Sequence, residues 1–192
     1  GGALAQEDVD LVRGEAQEAM DKSLRSLKGE LQKVRTGRAS TALLDGVQVD
    51  YYGTPTPLNQ LANLTTPDPR LIVVVPYDKG SIQAIEKAIQ SSDLGLTPAS
   101  DGKVVRIPIP SLTEERRKEL VKHVHRLAED HKVGVREGRR DALSMLKDLV
   151  SDGNVPQDEG RQADKAVQSL TDDFVNKIDE LTTQKEQEIL EV

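Results

Sequence analysis

Hydrophobic residues recur at helical spacing through residues 113–150. The apolar positions advance in steps of three and four, which places them on one side of a helix. They are Leu120, Val124, Leu127, Val135, Ala142, Met145, Leu146 and Leu149. Thr113 is a suitable N-cap after two prolines, and Gly153 follows the end of the pattern. The pattern predicts a helix about 57 Å long, too long for the core of one small globule.

Two further segments, residues 6–34 and 157–190, repeat apolar positions at helical spacing. In the first they run from Val9 to Val34, and Gly37 is a plausible C-cap. In the second they recur about every 3.5 residues, the spacing of a bundle seam. These are Ala163, Val167, Leu170, Phe174, Ile178, Leu181 and Ile189. The three segments together predict an elongated three-helix bundle.

The middle of the chain differs in character, because eight of the nine prolines fall between residues 38 and 110. Strand-like patterns occupy residues 48–52, 71–75 and 104–109, and a short helix capped by Ser81 is predicted over 81–91. We therefore predict an α+β protein of two domains. A small α/β domain of β/α/β, sandwich-like type (residues 38–111) is inserted into a helical-bundle domain (1–37 and 112–192). The predicted hinge residues at the two connections are Arg38, Ala39, Pro110 and Ser111.

Charge is sorted on the long helix. At about 100° per residue, one sector is basic, with Lys118, Lys122, Lys132, Arg136, Arg140 and Lys147. An acidic sector holds Glu119, Asp130, Glu137, Asp141 and Asp148. The simpler interpretation is a solvated face with pairs such as Glu114 and Lys118. Three guanidinium groups within residues 136–140 favour phosphate binding instead.

The overall balance of charge is acidic, with a net charge of −7 and a pI of about 5.1. The long helix departs from it, with ten basic against seven acidic side chains between residues 113 and 147. An acidic chain that gathers arginine on one helix can still present a phosphate-binding surface. Aromatic residues make up only 2% of the chain, which argues against modules that stack bases.

Catalytic and metal chemistry find little support in the sequence. There is no cysteine, no nucleotide-binding glycine loop and no membrane-spanning segment. His123, His125 and His131 lack partners at zinc-ligand spacing, so no metal, cofactor or catalytic residue is expected. Residues 51–57 are interpreted as a turn with two amphipathic rings rather than a site.

Several segments resemble the ribosome recycling factor family. They are VRTGRAS at 34–40, DYYGTPTPL at 50–58, SDLGL at 92–96, LTEERRKEL at 112–120, residues 133–141 and the closing Lys185–Glu186. The resemblance covers the chain from about residue 7 to 192. It implies a three-helix bundle with a small hinged domain, L-shaped and similar in outline to tRNA.

The same resemblance implies a non-enzymatic function. The factor binds the post-termination ribosome at the subunit interface, on large-subunit rRNA. With elongation factor G and GTP it promotes splitting into subunits and release of mRNA and tRNA. A monomer in the bacterial cytoplasm is expected, with an organellar source left open. The rRNA-binding residues expected here are Arg136, Arg139, Arg140, Lys122, Arg126 and Arg35.

One position departs from the family pattern. Glu137 stands where the family usually has asparagine, which puts in doubt an RNA contact by that side chain. Gly138 follows on the inner stripe, where it would allow close approach of another helix. The rival interpretation is a structural adaptor that binds partner helices through the acidic third helix or an apolar strip. An enzyme is a distant third.

Overall fold

The computed structural model describes residues 2–191 and divides into two compact units. The first comprises Gly1–Leu31 and Val121–Gln187, and the second comprises Gln32–Leu120 and Glu188–Val192. These units are defined by contacts between residues. The domain bounds predicted from the sequence were drawn at the ends of the helices, so the units do not test them. None of the helices within residues 2–191 has a stretch long and apolar enough to cross a membrane.

The secondary structure alternates long helices with a strand-rich middle. The helices are α1 (Gly2–Gln32), α2 (Leu58–Leu61), α3 (Ile82–Gln90), α4 (Glu114–Ser151) and α5 (Gln157–Leu190). The strands are β1 (Gln48–Tyr51), β2 (Thr54–Pro57), β3 (Ala62–Asp68), β4 (Leu71–Pro76), β5 (Ala99–Ser100) and β6 (Val105–Pro108). Short 3₁₀ turns occupy Thr41–Leu44 and Lys79–Ser81.

Three long helices bury the predicted apolar stripes, which confirms the helical-bundle prediction. The backbone N–H of Arg116 donates to Thr113 Oγ1 at 3.1 Å, so Thr113 caps α4 as expected. Two details were wrong. Helix α1 ends at Gln32, so Gly37 lies too far along the chain to cap it. Met145 is 43% exposed, because it lies about 60° around the helix from the buried Ala142.

Glycines let α1 and α4 approach closely. Gly138 is buried, and a Cβ built on it would lie 3.3 Å from Ala19 Cβ. A Cβ on Gly134 would meet the Ser23 hydroxyl, which can rotate away. A side chain at Gly138 would press on the Ala19 methyl group, which cannot. This confirms the packing role predicted for Gly138.

The second unit contains two antiparallel sheets. One pairs β1 with β2, and the other has the strand order β3-β4-β6-β5. The core consists of aliphatic side chains from the strands and from α3, with Val49, Ile72, Val74, Ile85, Ile89, Val105 and Ile107 fully buried. The predicted strands and the helix near residues 81–91 are confirmed. These elements complete the two-domain α+β class predicted from the sequence.

The sequence did not predict strands β2, β3 and β5, and it assigned the cap of α3 wrongly. Strand β2 contains two prolines, which it tolerates because it pairs on one side only. Strand β3 is largely polar and exposed. The cap was misassigned, since the Ser81 hydroxyl donates to the carbonyl of Asp78 at 2.6 Å. Asp78 caps the preceding turn instead, by accepting from the N–H of Gly80 at 2.8 Å.

The segment interpreted as a turn is a β-hairpin. Tyr52 and Gly53 join β1 to β2 with φ of 50° and 85°, the pattern of a type I′ turn. Asp50 supports the turn by accepting from the N–H of Gly53 at 2.8 Å. Tyr51 and Tyr52 both donate their hydroxyls to Asp78, at 3.1 and 3.2 Å. The turn of the hairpin is therefore stabilised by Asp50, and its two tyrosines bind the hairpin to Asp78.

Gly53→Ala should destabilise the second unit by about 1–2 kcal/mol, the cost of a left-handed non-glycine residue. Gly46→Ala is the matched control, because at both positions an added Cβ would meet nothing within 4 Å and only Gly53 has a positive φ. We expect Gly46→Ala to change stability by less than about 0.5 kcal/mol. Urea unfolding of both variants measures the difference. Equal midpoints would contradict the turn assignment.

Asp101 in the turn before β6 links stability to pH. The Arg106 guanidinium, donating at 2.5 Å, and the N–H groups of Val104 and Lys103 hold the pKa of Asp101 well below its usual range. The pKa of Asp101 is lower in the folded chain than in the unfolded chain, where it is about 4. Ionised Asp101 therefore stabilises the fold above that pH, and this stabilisation is lost as the pH falls towards the folded pKa. Asp101→Asn should therefore be less stable than wild type at neutral pH, with the gap closing in acid. Parallel stability curves would refute this linkage.

Candidate nucleic-acid interface

Five cations on the solvent face of α4 have no partner among the described residues: Lys147 near the end of the helix and four that precede it. Lys122, Arg126, Arg136 and Arg140 are exposed, and within residues 2–191 none of them has a hydrogen bond or an ion pair. We call these four residues the cationic row. At 1.5 Å per residue it extends about 27 Å along the helix. Exposed cations that are not neutralised within the protein remain available for an external anion.

The predicted basic sector is not uniform. Lys132 is only 14% exposed and contacts Asp179 Oδ1 at 2.6 Å and Glu129 Oε1 at 3.4 Å. The hydrogen bond to Asp179 raises the pKa of Lys132. Its direction on the helix lies near the packed face, so it joins α4 to α5 rather than facing solvent. Lys118 pairs with Glu114 at 3.8 Å, as the simpler interpretation expected. The assignment of Lys132 to the exposed basic sector was wrong.

Arg139 is half-buried and held against α5. Its Nη1 donates to Gln168 Oε1 at 3.0 Å, and Gln168 in turn donates to Asp172 at 2.9 Å. The Nε of Arg139 is buried and has no acceptor among the described residues. A guanidinium restrained in this way loses less conformational entropy when it binds a phosphate. The structure thus places Arg139 beside the row but not within it.

The acidic side chains of α4 keep to their own sector. Glu137, Asp141 and Asp148 are exposed, and none forms an ion pair with the cationic row. Glu129 lies outside the acidic sector, on the side of the basic residues, and it contacts Lys132. The acidic sector therefore weakens the electrostatic field of the cationic row but forms no ion pairs with it.

The remaining predicted residues belong to the second unit. Arg35 is half-buried, and its Nη2 has no acceptor among the described residues. Arg38 contacts Glu191 at 2.7 Å. The N–H of Ala39 donates to Pro69 O at 2.6 Å, while Pro110 is exposed. Ser111 accepts from Arg70. Three of the four predicted hinge residues thus make contacts within this unit.

Two of the three histidines, His125 and His131, contact other residues of the helical unit. His131 Nδ1 lies 2.6 Å from Leu127 O, and its Nε2 lies 3.2 Å from Ser26 Oγ. His125 Nε2 contacts a carboxylate oxygen of Glu186. Among the described residues no group of three His, Cys, Asp or Glu side chains is arranged to hold a metal ion.

Sequence reasoning missed two arginines. Arg70 and Arg117 line a cavity in the second unit together with Arg38. Arg117 lies within one of the family-like segments, but nothing local marks Arg70 as its neighbour. Their proximity arises from the pairing of β4 and β6, which no spacing rule reveals.

The fold and this surface define a two-domain α+β protein whose helical unit presents a cationic row. A family model described as ribosome recycling factor matches residues 27–190. The chain belongs to the ribosome recycling factor family, which confirms the resemblance noted from the sequence.

Curated relatives match over nearly the whole chain. A ribosome-recycling factor from Desulfosudis oleivorans is 53% identical, covering 96% of this chain and 100% of the relative. One from Shouchella clausii is 56% identical, covering 94% and 98%. The high mutual coverage shows that this chain and these relatives share both the helical and the strand-rich segments.

Solved structures agree with the fold. A solution structure of a ribosome recycling factor has a TM-score of 0.79 at 38% identity, covering 96% of this chain and 98% of that chain. A second structure has a TM-score of 0.67 at 47% identity, covering 95% and 98%. It describes the T. thermophilus ribosome recycling factor and E. coli elongation factor G bound to the E. coli post-termination complex.

Proposed function

We propose that this chain binds the post-termination ribosome at the subunit interface and, with elongation factor G and GTP, promotes its splitting into subunits. Release of mRNA and tRNA accompanies the splitting. Membership of the ribosome recycling factor family supports this role, as does the structural relative described together with elongation factor G. The energy comes from the partner's GTP hydrolysis, so the chain itself acts without catalysis.

The cationic row is the observation that carries the proposal. In a chain of net charge −7, four unpaired cations on one helical face are unexpected for a merely solvated surface. Lysine and arginine bind the backbone phosphates of nucleic acids, and we assign the cationic row to phosphates of large-subunit rRNA. The first unit's only aromatic side chain is the buried Phe174, so recognition rests on phosphate and shape rather than on base stacking.

Each proposed rRNA-binding residue has a distinct role. Lys122, Arg126, Arg136 and Arg140 neutralise phosphates, and Arg139 adds a restrained guanidinium at their edge. Arg35 contributes a further cation from the second unit. Glu137 stays outside the contact because a carboxylate repels phosphate, consistent with its position in the acidic sector.

The hinge is proposed at Arg38, Ala39, Pro110 and Ser111. No helix or strand includes these four residues, and hinges commonly use a few such connecting positions. Because all four lie within the second unit, motion there would let elongation factor G displace the strand-rich part of that unit while the cationic row holds rRNA. The relatives are bacterial proteins, and we propose that this chain acts as a monomer in the bacterial cytoplasm.

The decisive test is subunit splitting, followed by light scattering, with purified post-termination ribosomes, elongation factor G and GTP. We expect splitting only when all components are present. Ribosome affinity should fall with salt at a log–log slope of about −3.5 to −5.5, since four to six neutralised phosphates contribute about −0.9 each. Intact ribosomes under complete conditions, or a flat salt dependence, would count against the proposal.

A helix-binding adaptor is the second candidate. Leu4 and Leu11 are 68% and 62% exposed, and Met145 is exposed in the same unit. Such apolar side chains suit a partner helix. Replacing all three by serine would abolish partner binding if the adaptor interpretation held, and would leave ribosome binding unchanged if the cationic row is the interface.

A further inference from the structure

A cavity of about 230 Å³ opens in the second unit, with three arginines in its wall. They are Arg38, Arg70 and Arg117, and Glu191 supplies the single carboxylate among the lining residues. A cavity that holds one water needs about 10–15 Å³, so this one has room for a small anion and its hydration. The three guanidinium groups exceed the one carboxylate by two positive charges.

Backbone contacts bring these arginines together from three separate segments. The N–H of Ala39 donates to Pro69 O at 2.6 Å, and the N–H of Ile109 donates to Arg70 O at 2.8 Å. Both connecting segments are thereby fastened to the turn between β3 and β4. Gly37 allows the turn of the chain here, because its φ of 78° lies in the left-handed region that other residues rarely adopt. The wall is thus held by several independent contacts.

The three guanidinium groups are unequally satisfied. Arg38 Nη1 donates to Glu191 Oε2 at 2.7 Å, and Arg70 donates to the neutral hydroxyl of Ser111. The Nε of Arg117 is buried and has no acceptor among the described residues. Two guanidinium groups therefore face the cavity without a carboxylate partner.

We propose that this cavity binds a phosphate group through Arg70 and Arg117. Guanidinium groups match tetrahedral oxyanions with paired, charge-assisted hydrogen bonds. Glu191 forms an ion pair with Arg38 and so lowers the affinity of the cavity for phosphate. Neither Arg70 nor Arg117 belongs to the cationic row. The cavity is lined by residues of this chain, so phosphate binding can be measured without the ribosome. If the phosphate is an RNA phosphodiester, the site adds a second RNA contact and in that respect rests on the proposed function.

The test is titration of the full chain, without ribosomes, followed by NMR of the arginine Nε–H groups. Inorganic phosphate and dimethyl phosphate, a mimic of the RNA linkage, are added in turn at constant ionic strength. We expect saturable shifts at Arg70 and Arg117. Arg70→Gln and Arg117→Gln should each weaken binding about tenfold, the effect of losing one charge-assisted bond.

Arg116→Gln is the matched control, since Arg116 precedes Arg117 but pairs with Glu119 at 2.9 Å. It should bind phosphate as wild type does. Glu191→Gln should bind more tightly, because it frees Arg38. Circular dichroism confirms that each variant is folded.

The outcomes separate the sources of the phosphate. Binding of both ligands identifies an RNA backbone phosphate, and binding of inorganic phosphate alone identifies a free phosphate. Unsaturable shifts, or wild-type affinity in both Arg70→Gln and Arg117→Gln, would overturn the proposal. Failure here leaves subunit splitting intact, whereas failure of splitting leaves phosphate binding to the isolated chain unchanged.

Discussion

Reversing three charges of the cationic row, with Lys122→Glu, Arg136→Glu and Arg140→Glu combined, should weaken ribosome binding by about 1,000-fold or more. A charge-assisted hydrogen bond contributes about 1.5–3 kcal/mol, and each 1.4 kcal/mol is tenfold in affinity. Repulsion between the new carboxylates and phosphate adds to the loss. All three positions are exposed and without ion pairs among the described residues, so the fold should be unaffected.

A control with the same total charge removes the effect of net charge alone. Arg13, Lys22 and Lys28 on α1 are also exposed and lack hydrogen bonds and ion pairs within residues 2–191. Reversing them likewise changes the net charge from −7 to −13, since each replacement changes it by two. Binding is measured by filtration or sedimentation with vacant ribosomes at several salt concentrations. If both triple variants lose affinity equally, the row is not a specific interface.

The salt dependence of the variant gives an independent readout. Each phosphate contact contributes about −0.9 to the log–log slope, so loss of three contacts should flatten it by about 2.7. An unchanged slope with weaker binding would mean that the reversed residues act indirectly. Splitting activity should fall in parallel with affinity, because a factor that does not bind cannot transmit its partner's motion.

Phe174→Ala should destabilise the first unit by about 3–5 kcal/mol, the usual cost of emptying a buried phenylalanine site. Phe174 is 2% exposed, and Lys177 Nζ lies 4.8 Å from its ring centroid. Phe174 is the one phenylalanine of the sequence. Since total stability is typically about 5–15 kcal/mol, the variant would retain little margin.

The matched control is Leu11→Ala, at a side chain that is 62% exposed in the same unit. It should cost less than about 0.5 kcal/mol. Phe174→Leu should lie between the two variants, because it restores most of the lost volume. Urea unfolding followed by helical circular dichroism measures all three. A loss at Phe174→Ala no larger than at Leu11→Ala would mean that the bundle core is elsewhere.

The long helices were predictable because their information is local. An α-helix satisfies its hydrogen bonds within four residues, and its apolar stripe repeats with its own period. The bounds of α4 and α5 differ from the prediction by one residue or less. Family membership was predictable for a related reason, since the family-like segments are contiguous stretches of sequence.

The small domain was only partly predictable. Hydrophobic β4 and β6 and the amphipathic α3 were visible, but β2, β3 and β5 are short or polar. Each of these three owes its conformation to pairing with the neighbouring strand along the chain. A strand makes its hydrogen bonds to another strand rather than within itself, and strand propensity depends on the surroundings, so a short polar strand has no clear sequence signature. The Ser81 cap was wrong for a different reason, because the Ser81 hydroxyl donates to the nearby carbonyl of Asp78 and is not available to accept from an N–H group of α3.

The sequence by itself determined three amphipathic helices, an aliphatic core and the gathering of cations on α4. Only the tertiary structure decided which cations stay free. Lys132 turns to Asp179 and Arg139 to Gln168, while Lys122 and Arg140 remain unpaired. The physical reason is that helical periodicity assigns a side chain a direction but not a partner. That partner comes from another element, which packing alone brings within hydrogen-bonding distance.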